Sequence, residues 1–111
     1  MLRKLIKRFR KPNENSKSFQ YEMAERTDGK HIRYVTERTD NVENIIGREG
    51  SLNVRGEHLI LMSDGAILFR GHIPELKISE LLSLDGVIIS GPDETKDGAE
   101  RTVIAYYKYY R

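Results

Sequence analysis

Three histidines, His31, His58 and His72, are the side chains best suited to hold a metal or move a proton near neutral pH. Metal and proton-relay sites on a single element use HxH on a strand or HxxxH on a helix, which set two imidazoles on one face. Neither spacing occurs, and no carboxylate pattern sits beside any of the three. A sheet could still bring two of them together, but they read as ordinary strand or turn positions. Nucleophile chemistry has as little to stand on. There is no GxSxG elbow, no GxxxxGK[ST] or GxGxxG to cradle phosphates, and no cysteine to serve as thiolate, disulfide or zinc ligand. The expectation is a protein without catalytic residues, metal or cofactor.

Two loops carry weaker signals. Gly47-Arg48-Glu49-Gly50 has the GxxG spelling of the phosphate-clamping loop in KH modules. That loop joins two helices, whereas here Ile45-Ile46 and Leu52-Asn53-Val54 look extended and Glu49 would repel a phosphate. A strand connection or bulge using glycine's freedom is the simpler reading. The acidic run from Pro92 to Gly98 lacks the alternating oxygen donors and distal glutamate of an EF-hand loop, and Lys96 interrupts it. It reads as a solvated hairpin loop.

The two ends of the chain are compositionally the oddest. Tyr106, Tyr107, Lys108, Tyr109, Tyr110 and Arg111 interleave aromatic and basic side chains. One reading is a stacking platform for single-stranded nucleic acid, with Tyr106, Tyr107 and Tyr109 taking bases and Lys108 and Arg111 taking phosphates. The other is a last strand whose tyrosines alternate between faces. At the other end, Leu2, Leu5, Ile6 and Phe9 fall at i, i+3, i+4 and i+7, the stripe of an amphipathic helix. Arg3, Lys4, Lys7, Arg8 and Arg10 surround it. Pro12 ends the pattern, and ten residues are too few for a stable helix in water without a surface to fold on. Such a stripe can dock on its own domain, trail in solvent, lie on an anionic membrane, or meet nucleic acid or a partner protein.

The elements that would position these residues follow a period of two. Phe19, Tyr21 and Met23 alternate with polar residues ahead of Asp28-Gly29, and Ile32 and Tyr34 follow it. Asp-Gly is a strong two-residue hairpin signal, because both turn positions take positive φ. This one predicts Thr27 opposite Lys30 and Met23 opposite Tyr34. Asp64-Gly65 predicts Met62 opposite Ile67 and Leu61 opposite Leu68. The dipeptide returns at Asp85-Gly86 and Asp97-Gly98. Strands are predicted near 18–27, 30–39, 51–56, 58–63, 66–71, 86–91 and 100–110, with Ile45-Ile46 a short addition. Residues 73–84 are open to two readings. Pro74 and Glu75 can start a helix that turns Leu81 and Leu82 inward, or Leu82 and Leu84 can form the first arm of a hairpin with Val87 and Ile89.

The expected architecture is therefore mainly β. It is an antiparallel meander of about seven strands forming a roll or partly open small barrel, with a short N-terminal amphipathic helix. Residues 1–12 form the basic helix or tail, 13–16 a linker, and 17–111 one β domain. A length of 111 residues, 38% hydrophobic and 32% charged, is the composition of a soluble globular domain. The net charge of +2 conceals a division. Residues 1–12 hold six basic side chains and no acid, leaving 13 basic and 17 acidic residues in the rest. The longest apolar run, Gly65 to Phe69, is far short of the about 20 residues of a spanning helix. Arg3 to Arg8 leaves no apolar core for a signal peptide. These features point to the cytoplasm, with the membrane periphery as an extension of that reading.

From about residue 50 to 107 the chain resembles bacterial pleckstrin-homology-like or GRAM-type modules. The resemblance rests on Leu52-x-Val54, Leu59-x-Leu61, Asp64-Gly65, Ile67-x-Phe69, Ile73-Pro74 and Leu84-Asp85-Gly86-Val87-Ile88. It implies a bent seven-stranded antiparallel sheet that binds proteins or lipid headgroups rather than catalysing a reaction. Such modules end in a helix that plugs the open barrel, while this chain ends in a strand; an N-terminal helix could take that place, as a rearrangement of the family pattern. Their headgroup loop is basic, whereas Glu25 to Lys30 is charge-balanced, so the resemblance carries no ligand residues across. The expected function is a non-enzymatic binding module that works through protein contacts or peripheral contact with anionic membrane. Its partners would be another protein, a second copy of itself, or such a surface. A nucleic-acid binder using both ends of the chain is the alternative.

Overall fold

The computed structural model describes residues 17–107. The basic stripe from Leu2 to Arg10, the linker 13–16, and Lys108, Tyr109, Tyr110 and Arg111 lie outside the described residues. Helix α1 (Lys17–Thr27) is followed by seven antiparallel strands: β1 (His31–Thr39), β2 (Val42–Arg55), β3 (His58–Ser63), β4 (Ala66–His72), β5 (Lys77–Glu80), β6 (Gly86–Asp93) and β7 (Ala99–Tyr107). They form one sheet in the order β4-β3-β2-β1-β7-β6-β5. Two meanders, β1 to β4 and β5 to β7, are joined where β7 pairs with β1. The sheet curls into a half-barrel, as the mainly β reading expects.

Its core is apolar because the strands alternate. Leu59 and Leu61 on β3 and Val87 and Ile89 on β6 point inward with no exposed surface, meeting Phe69 and Ile32. Turn chemistry fixes the register. Asp40-Asn41 and Asp64-Gly65 all take positive φ, the requirement of a tight two-residue hairpin. Met62 pairs with Ile67 as the Asp-Gly turn predicts, but a bulge then sets Leu61 opposite Phe69 rather than Leu68. Gly50 lets β2 and β3 approach closely, since a Cβ there would lie 1.8 Å from the Met62 carbonyl oxygen.

The first predicted strand, 18–27, is a helix. Phe19, Tyr21 and Met23 suggest period two, yet the buried positions are Gln20, Met23, Ala24 and Thr27, a helical stripe that is half polar. Its polar members are buried because each is bonded. The Gln20 side-chain carbonyl accepts from the Ile78 N–H at 2.7 Å, and the Thr27 hydroxyl donates to the Ala24 carbonyl at 2.7 Å. Asp28-Gly29 consequently turns a helix into a strand, and the pairing of Met23 with Tyr34 does not occur. Gly29, at φ 83°, donates to the Leu52 carbonyl, while the Asp28 carboxylate accepts from the Val54 N–H.

Three further expectations are revised. Ile45-Ile46 belongs to the long strand β2, not to a separate element. In the 73–84 stretch there is no α-helix. A 3-10 turn at Ile73–Glu75 leads into β5, whose four residues pair with Val87 to Ser90. Leu82 and Leu84 lie in the loop beyond the arm rather than in it. Asp85-Gly86 is not a tight turn either, because Leu84 carries the positive φ and Gly86 already begins β6.

Candidate functional site

The strongest polar constellation closes the seam of the half-barrel. Asp93 at the end of β6 is fully buried, and Arg101 on β7 is nearly so. The Arg101 guanidinium donates to Asp93, to both carboxylate oxygens of Glu37 at 2.8 and 2.9 Å, and to the Leu68 carbonyl at 3.0 Å. Asp93 also accepts from the Arg70 N–H at 3.1 Å and from the Thr95 N–H and hydroxyl, each at 2.8 Å. Burial alone would raise the Asp93 carboxyl. The bonds from Thr95, Arg101 and the Arg70 N–H outweigh it, and the carboxyl sits below its ordinary value. Hydrogen bonds from Arg101 lower Glu37, and Arg101 itself is held protonated, first by Glu37. The acidic loop thus turns its first carboxylate inward to complete the fold.

The sheet does bring two histidines together. His58 and His72 are direct partners across β3 and β4, with ring centroids 5.4 Å apart. Each faces a carboxylate: His58 Nε2 lies 3.0 Å from Glu94, and His72 Nε2 lies 2.8 Å from Glu57. Glu94 is shared with Arg70 at 3.0 Å, and its carboxyl is lowered, first by the His58 bond. His31 stands apart, 2.8 Å from Glu49. These are paired, solvent-facing groups. Among the described residues no three His, Asp or Glu side chains are disposed to hold a metal ion.

The GxxG segment lies inside β2. Its Arg48 and Glu49 carbonyls accept from the Ser63 hydroxyl and the Asp64 N–H, which knits β2 to the β3–β4 turn. Ahead of Gly50, β2 has no partner in β3, and residues 38–43 carry β1 and β2 past their pairing with β7 as a short two-stranded ribbon; Val42 and Ile45 on this part of β2 are about half exposed. Between the unpaired edge of β2 and β4 runs an open cleft of about 410 Å³ floored by Ile46, Ile67 and Leu68 and rimmed by Lys96 and Arg101.

Of the tyrosine platform, the structure places Tyr106 and Tyr107 on opposite faces of β7. Tyr106 stacks on Tyr34, its cross-strand partner, with centroids 4.5 Å apart, and donates its hydroxyl to Glu43 at 2.6 Å. Tyr107 packs against the core with the Lys30 ammonium 5.0 Å from its ring centroid. Burial first, then Glu43, pushes the Tyr106 hydroxyl up to about 12; burial and Glu80 do the same for Tyr107. Glu43 is lowered in turn by the bonds from Tyr106 and Thr36.

The residues missed by sequence reasoning are the leucines of the β5–β6 loop. Leu82 is 104% exposed and Leu84 65%, the two most exposed of the large apolar side chains among the described residues. The loop is nevertheless tied. Leu81 N–H donates to the Gly86 carbonyl, Leu84 N–H to Leu81, and Tyr107 N–H to Asp85, all within 2.9 Å. The signal was the run of turn formers, Ser83 and Asp85-Gly86, which outweighs the apolar pattern.

No family model, curated protein or solved structure matches the chain.

Proposed function

We propose that the protein is a non-enzymatic binding module that makes peripheral, reversible contact with anionic membrane surfaces. The observation that carries this reading is the division of charge. Six cations and no acid flank the apolar stripe Leu2, Leu5, Ile6 and Phe9, ahead of a remainder with four more acids than bases. What supports it in the fold is α1. Met23, Ala24 and the Gln20 bond to Ile78 already cover the inner face of the half-barrel, in the place the resemblance leaves for a plugging helix. With that place taken by α1, this reading assigns the stripe to a surface outside the half-barrel.

The magnitudes describe a weak anchor. Each basic residue near an anionic leaflet contributes about 1 kcal/mol, and half-burying four apolar side chains adds roughly 3–6 kcal/mol. Ordering ten residues costs on the order of 10 kcal/mol. The balance is near zero, so the contact is salt-sensitive and needs a second attachment point. No helix among the described residues is long and apolar enough to cross a membrane.

Co-sedimentation of the full chain with phosphatidylserine-containing vesicles tests the reading. Pelleting at low salt, release at high salt and no pelleting with phosphatidylcholine alone is the expected result. A second reading, contact with another protein or a second copy, is favoured by the unpaired outer half of β2. The edge from Val42 to Gly47 offers backbone groups for strand addition. Size-exclusion chromatography with light scattering distinguishes that outcome.

A further inference from the structure

We propose that the β5–β6 loop, Leu81 to Asp85, is the second attachment point and enters the anionic lipid surface with Leu82 and Leu84. The inference rests on the peripheral-membrane reading above and assigns it a site. Loops are normally polar at their tips, and an exposed leucine pair costs solubility unless something covers it. Here the pair is held out by a tied backbone, with Leu84 at φ 64°, a conformation that branched side chains rarely adopt. A pre-formed loop needs little ordering when it is buried.

The surroundings select the partner. Lys30 and Arg33 are exposed at the same end of the sheet. Arg33 lines the small depression formed with Asp85, Tyr106 and Tyr107, and Lys30 lies over the Tyr107 ring. Arg33 is the extra residue of the bulge between β1 and β7, where Ile32 pairs with Tyr107 and Tyr34 with Tyr106. The Tyr107 N–H donates to the Asp85 carbonyl, which ties the base of the loop to the end of β7 beside these two cations. The acidic Glu80 nearby is answered by Arg26 at 3.8 Å. Two exposed apolar side chains on a loop tip, with Lys30 and Arg33 at the same end of the sheet, match an anionic lipid leaflet. There the leucines reach the acyl boundary and the cations the headgroups. The tip lies opposite the β1–β2 turn, so the ribbon points away from the lipid.

The chain contains no tryptophan, so a single indole reports its own position. In the full chain, Leu82→Trp is expected to blue-shift on phosphatidylserine-containing vesicles and to be quenched by brominated acyl chains. Thr39→Trp, at the far end of β1, is expected to do neither. Leu82→Ser/Leu84→Ser is expected to weaken vesicle partitioning at least tenfold without lowering thermal stability, and Arg33→Glu to weaken it severalfold. If the wild-type chain pellets with these vesicles but the Leu82→Trp emission does not move, the loop assignment is wrong while the membrane reading stands. If the wild-type chain does not pellet, both fall. Loss of a dimer in the serine variant, with lipid partitioning unchanged, also overturns the assignment and makes the loop a self-contact.

Discussion

Asp93 on β6 and Arg101 on β7 occupy diagonal positions on one face of the sheet and together take over the hydrogen bonding of the free edge of β4. Asp93 receives the Arg70 N–H and Arg101 reaches the Leu68 carbonyl, alternate outward groups of that edge. An ion pair thus does what an eighth strand would do in a closed barrel. Removing Arg101 leaves the buried Asp93 carboxylate without its cation, and removing Asp93 leaves Arg101 with Glu37 as its one anion among the described residues; breaking a buried pair costs about 3–5 kcal/mol. Asp93→Ala and Arg101→Ala are each expected to show that loss in urea unfolding, with the double variant well short of additive. Additive losses would mean that the two groups act independently.

Gln20 guards the opposite edge. Its amide carbonyl is bonded to the outward N–H of Ile78 on β5 and is itself buried. Gln20→Leu keeps the apolar fit and orphans that N–H, so a loss of about 1–3 kcal/mol is expected. A neutral substitution would show that α1 is held by Met23 and Ala24 alone.

Four carboxyls, Glu37, Glu43, Asp93 and Glu94, sit below their ordinary values in the folded protein. The folded state therefore binds fewer protons than the unfolded chain in mild acid. Their stabilisation is full above the ordinary carboxylate range and is lost as pH falls through the folded values. The melting temperature is expected to fall steadily from about pH 6 to about pH 3. Asp93→Asn should flatten that slope, and an unchanged slope would remove Asp93 from the account.

Leu84 is expected to be suboptimal for folding. Glycine tolerates its left-handed backbone, so Leu84→Gly should raise stability by about 1 kcal/mol. Equal or lower stability would argue that the leucine side chain packs against the domain after all.

The fold was legible where one residue type decides a local conformation. Asp64-Gly65 set its hairpin, and the alternation of Leu59 and Leu61 set the inner face of β3. It was not legible where burial is polar. Gln20 and Thr27 hide a helical stripe, because their burial depends on partners far along the chain or on the helix itself. The seam was hidden for the same reason: Arg101 and Glu37 are 64 residues apart. Nor does periodicity reveal the leucine tip, since Leu82 and Leu84 look like core residues until β5 is seen to end at Glu80.

The most direct measurement is vesicle co-sedimentation of the full chain beside two variants, Leu5→Asp/Phe9→Asp in the tail and Leu82→Ser/Leu84→Ser in the loop. The account predicts that the unaltered chain pellets with phosphatidylserine-containing vesicles at low salt and is released by high salt. Each variant should partition at least tenfold more weakly. A full chain that stays in the supernatant with those vesicles at low salt would contradict it.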